Sequence, residues 1–142
     1  VENLIRRTNS PLVERHQGKW RLVLFGTLII CIYGGLRSEP LPLLFPYFDL
    51  LIHFSASLTI AYIAVFAFPP RGRLLVMVGL FSAAVALEVM QGVFLARRAA
   101  SLADCLAGIL GIPFGWFLGR WVRQYLRRWS KNSHSSRLRK HW

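Results

Sequence analysis

The stretch FDLLIHFSASLTIAYIAVFAFPP, residues 48–70, decides the fold. Asp49 and His53, both in its first two turns, are the only acidic or basic side chains over residues 48–68. At ~1.5 Å per residue such a segment can cross the ~30 Å apolar layer of a bilayer as one helix. Pro69 and Pro70 then stop it, because proline cannot donate to the helical ladder.

Outward from this segment, residues 74–94 and 99–121 form two more apolar stretches, and residues 20–36 a shorter one whose Trp20 and Arg21 can hold an interfacial edge by snorkelling. The expected fold is all-α: a single polytopic membrane domain over residues 20–121, with helices at about 20–36, 48–68, 74–94 and 99–121. A basic segment, residues 1–19, precedes this four-helix transmembrane bundle, and a basic tail, residues 122–142, follows it. Composition agrees, since 142 residues with 54% apolar side chains leave too little polar surface to coat a water-soluble domain. The first apolar run follows basic residues as a signal peptide would. About twenty residues precede it, however, and no small-residue cleavage site follows Gly34 and Gly35, so a retained helix is expected.

Charge sets the expected orientation. Eighteen Lys and Arg stand against six Asp and Glu, a net +12. Placing both termini in the cytoplasm leaves only Arg37, Arg97 and Arg98 outside, as the positive-inside rule favours. The expected location is the bacterial cytoplasmic membrane, multi-pass, N-in and C-in. Residues 39–46, with Pro40, Pro42 and Pro46, cannot form a regular spanning helix and are expected as an outer loop. Cys31 and Cys105 lie in apolar segments and read as small hydrophobes; no metal-binding spacing is present, and no metal or cofactor is expected.

Carboxylates inside spans are costly, about 2.5–3.5 kcal/mol each at mid-bilayer on insertion scales, so they need partners or water. Counting rise per residue puts His53, Glu88 and Asp104 in one layer near the outer face. Asp49 and His53 share a face at i and i+4, Glu88 and Gln91 at i and i+3, and Arg98, Ser101 and Asp104 repeat the three-residue step. Asp49, His53, Glu88, Gln91, Arg98, Ser101 and Asp104 are therefore the candidate polar pocket. Structural glue that pins helix register is the bland reading; mixed acids and bases in a desolvated layer favour a functional pocket.

In this order these residues resemble the VanZ-like family of small bacterial membrane proteins. The matching features are Asp49-x-x-x-His53-Phe54, then Glu88-x-x-Gln91, then Arg98-x-x-Ser101-x-x-Asp104 leading to Gly111 and Gly115, across residues 47–119. Leu50 and Gly108 depart from the family pattern, which commonly has Lys and Asn there. The resemblance implies a cell-envelope protein acting at the outer face of the cytoplasmic membrane, and the founding member is linked to low-level resistance to the lipoglycopeptide teicoplanin.

Gly111, Gly115 and Gly119 form a small-x-x-x-small stripe that lets another helix approach closely. Gly79, Ala83 and Ala86 make the third helix the expected partner, with a homodimer interface as the alternative. Trp121, Tyr125 and Trp129 alternate with basic residues in the tail, as in an interfacial helix on anionic lipid. Membrane lipids are thus expected partners; nucleic acid is not, because no recognition module accompanies the charge.

Three functions remain open from sequence. The first is binding of a lipid-linked envelope precursor or a similar amphiphile, such as a lipoglycopeptide. The second is an enzyme in which His53, poised by Asp49, acts as base and Glu88 as acid toward a phosphate or glycosidic bond, although no nucleophile is identifiable. The third is a structural accessory subunit.

Overall fold

The computed structural model describes residues 16–37, 45–95 and 101–138, with side chains through Trp129. Four long helices follow one another: α1, Gln17–Gly35; α2, Phe48–Ala67; α3, Arg73–Phe94; and α4, Leu102–Leu138, with a 3-10 turn at Pro70–Gly72 between α2 and α3. No strand occurs among the described residues. Three segments, Phe48–Ala67, Pro70–Phe94 and Leu102–Trp129, are long and apolar enough to cross a membrane. Helix α1 is not among them, because Gln17, Lys19 and Arg21 occupy its first turns and shorten its apolar part. Large apolar side chains such as Leu74, Leu75, Phe94 and Phe117 are exposed around the bundle, which suits a lipid solvent rather than water.

Helix α2 is the centre. Its last two turns, Ile60–Ala67, are buried almost throughout and pack with Leu24 of α1; Val76 and Leu80 of α3 close the cluster. Trp20 stacks on Phe66 with ring centroids 4.9 Å apart. The main pairing is α4 against α2, and Phe54 meets Phe114 edge to face across it at 5.7 Å.

The glycine stripe makes this pairing and corrects the partner expected from sequence. A Cβ on Gly111 would overlap the carbonyl oxygen of Phe54, and one on Gly115 that of Leu58. Gly119 faces Tyr62 and Val65 in the same way, with 3.0 Å between its would-be Cβ and the Tyr62 carbonyl oxygen. Phe54, Leu58 and Tyr62 recur every fourth residue, so the stripe of α4 rides along one face of α2. On α3, by contrast, Gly79, Ala83 and Ala86 are exposed, and a Cβ on Gly79 would meet nothing within 4 Å.

Helix α4 also differs in length from its expected span. It is a single helix of 37 residues, on the order of 55 Å, with no break near residue 121. After Gly119 the sequence offers no Gly or Pro to stop it, and Arg, Gln and Leu sustain the turn. Pro113 sits inside α4 between Gly111 and Gly115, where it forfeits the ladder bond to the carbonyl one turn back.

The end of α2 is held in a way the sequence reading missed. Pro69 and Pro70 have no N–H for the carbonyls of Val65 and Phe66, one turn back. Arginines from the other three helices supply donors instead. Arg73 donates to Val65 O at 3.2 Å and to Phe68 O at 3.3 Å, Arg123 to Val65 O at 2.7 Å, and Arg21 to Ala67 O at 3.2 Å. Cations at a helix C-terminus also complement its dipole.

Candidate functional site

At the opposite end of the bundle the helices diverge around a cavity of about 620 Å³. Its walls are the ends of α1 and α3 and the beginnings of α2 and α4, and they are mainly aliphatic. Asp49, His53 and Ser57 line it from successive turns of α2, and Asp104 from the first turn of α4. Cys31 and Cys105 line it as well and are free thiols. Deeper wall residues include Leu28, Ile60, Leu80 and Ile112, so the polar groups cluster at the end where α2 and α4 begin.

Local structure explains this placement. Tyr47 turns the chain into α2 with a left-handed backbone, φ 67°, and puts Asp49 in the first turn. Asp104 likewise lies in the first turn of α4, so each carboxylate sits at the helix end where the dipole favours negative charge. The side chains of Asp49, His53 and Asp104 are half-buried and bond no other protein group among the described residues.

Glu88, Gln91 and Ser101 lie in the same layer but do not line the cavity. They are the supports of its wall. The Ser101 backbone N–H donates to Glu88 Oε1 at 2.6 Å, and the Asp104 N–H to Ser101 Oγ at 3.3 Å. Glu88 thus caps α4 from a neighbouring helix, satisfying a donor that a helix start leaves open. Gln91 Nε2 donates to Gly35 O at 2.8 Å and ties the end of α1 to α3. A Cβ on Gly35 would come within 3.1 Å of Leu87, so glycine keeps that approach open. Glu88 and Gln91 are the buried residues of α3, whose apolar surface is otherwise turned outward.

Three of the seven sequence candidates therefore meet at the cavity, and three more hold its frame. Arg98 lies outside the described residues. The cavity-lining residues that sequence reasoning did not single out are Ser57, one turn beyond His53, and the two cysteines; the i, i+4, i+8 spacing of Asp49, His53 and Ser57 was the available signal. Among the described residues no hydrogen bond joins Asp49 to His53, and the Ser101 hydroxyl accepts one from the Asp104 backbone N–H. No group of three His, Cys, Asp or Glu side chains comes together there as a metal site would need.

Comparison with protein-family models, curated proteins and solved structures finds no match to this chain.

Proposed function

We propose that this chain is a VanZ-like membrane protein of the bacterial cell envelope whose cavity binds a lipid-linked or amphiphilic envelope molecule. In this reading α1 joins the three longer helices as a fourth span, both termini are cytoplasmic, and the cavity opens in the outer half of the cytoplasmic membrane. The distribution of Lys and Arg supports that orientation.

One observation carries the binding role. Asp49, His53 and Asp104, without protein partners among the described residues, share one end of a largely aliphatic cavity. Half-buried polar groups in a bilayer call for a hydrogen-bonding ligand, and the aliphatic depth suits a prenyl or acyl chain. A volume of about 620 Å³ falls within the usual size of small-molecule sites, roughly 300–1,000 Å³. The family resemblance adds the setting, the outer face of the cytoplasmic membrane, and a link to glycopeptide resistance; the ligand class, an envelope precursor or a lipoglycopeptide, follows from the polar cluster and the aliphatic depth.

Photocrosslinking tests this. A photoactivatable polyprenyl-linked sugar in proteoliposomes should label peptides from the cavity walls. Ala84→Trp, which fills the cavity from α3, should cut labelling about tenfold, as loss of a packed apolar site would. His53→Ala should weaken labelling while leaving the fold intact. Undiminished labelling of folded Ala84→Trp protein would rule the cavity out as the binding site.

A further inference from the structure

The arginines around the end of α2 do more than cap it. Arg73 and Arg123 donate to the same carbonyl oxygen, Val65 O, and Arg21 to a carbonyl two residues further on. The guanidinium groups of Arg21 and Arg73 therefore meet at one helix end, whose dipole supplies only about half a negative charge. Guanidinium donors that the protein leaves unused at such a helix end suit an anion.

The geometry of the guanidiniums is set for such an anion. Arg21 uses only Nε on the protein and lies over the Phe68 ring at 5.7 Å; its two terminal nitrogens have no partner among the described residues. Arg73 uses Nε and one terminal nitrogen and lies over the Trp116 ring at 5.9 Å. One turn beyond Arg123, on the same face of α4, the Nε of Arg127 is buried without a partner. Guanidinium groups fixed by carbonyls and rings, with N–H donors left over, match the oxygens of a phosphate.

We propose that this end of the bundle seats the phosphodiester of an anionic phospholipid, held by Arg21, Arg73 and Arg127. The lipid is favoured over free phosphate because the site is framed by the exposed apolar surfaces of α1, α3 and α4, where acyl chains can lie. The seat is separate from the cavity and stands or falls independently of it.

Native mass spectrometry of the full chain from detergent, titrated with phosphatidylglycerol, phosphatidylcholine or inorganic phosphate, tests the assignment. One phosphatidylglycerol should be retained where phosphatidylcholine is not, and excess inorganic phosphate should not displace it. Arg21→Gln and Arg127→Gln should each weaken retention about tenfold, the effect of one lost charge-assisted hydrogen bond. Arg37→Gln, at the far end of α1, should leave it unchanged. Arg127→Gln touches no carbonyl of the α2 cap, so it keeps the test open if Arg21→Gln fails to fold. Equal retention of the two lipids, or unchanged phosphatidylglycerol binding in folded Arg127→Gln, would overturn the proposal. Displacement by inorganic phosphate would assign the seat to a free anion instead.

Discussion

Gly115→Leu is expected to abolish the folded protein. At this position α4 lies so close to α2 that even a Cβ overlaps the Leu58 carbonyl, which is backbone and cannot swing aside. A leucine therefore has to push the helices apart over the whole of the main pairing. Overpacking in a core commonly costs about 1–3 kcal/mol and more where nothing can yield, so Gly115→Ala should already lower stability by about 3 kcal/mol. Thermal unfolding in detergent checks both, with Gly79→Ala as a control, since its Cβ meets nothing within 4 Å. A Gly115→Leu protein that melts like the parent would show that α2 and α4 do not pair in this way. The same series separates bundle packing from the homodimer alternative. A stripe that served only a dimer would give Gly115→Leu a stable monomer, readable by light scattering.

Glu88→Ala is the second large effect. The Ser101 N–H would lose its acceptor in a buried setting, and α3 would lose one of the polar contacts that hold its otherwise outward-facing surface. A lost hydrogen bond to a carboxyl group costs about 1.5–3 kcal/mol. Glu88→Gln keeps a carbonyl oxygen in the same place and should lose less than about 1 kcal/mol. Ligand binding by Glu88→Gln should match the parent, because Glu88 caps α4 and does not line the cavity. If Glu88→Gln folds normally but loses binding, the carboxyl group has a direct part in the site.

Rise per residue puts His53, Glu88 and Asp104 in one layer and helix periodicity puts Asp49 on the face of His53, because those quantities are local properties of helices already marked by hydropathy. They could not say which side chains face the cavity and which face a neighbouring backbone. Glu88 and Gln91 share the depth and the face, yet their acceptor and donor are main-chain groups at Ser101 and Gly35, whose positions depend on how helix ends meet. The choice of partner for α4 was beyond sequence for a similar reason. Small residues on α3 permit close approach as well as those on α4 do, and only the register of Phe54, Leu58 and Tyr62 against the glycines selects α2. The arginine cap was legible in principle, since Pro69-Pro70 announces carbonyls without donors and Arg73 follows within a turn. The arrival of Arg21 and Arg123 at the same place is a long-range consequence of the packing.

The two native thiols offer the most direct measurement of the central claim, that an amphiphile occupies the space enclosed by the ends of α1 and α3 and the beginnings of α2 and α4. Cys31 and Cys105 line the cavity from different helices. Their rates of reaction with N-ethylmaleimide can be followed in proteoliposomes with and without the polyprenyl-linked sugar. Occupancy should slow both thiols in parallel and at the same ligand concentration. Labelling of both at unchanged rates while the sugar is bound would place the ligand elsewhere and contradict the account.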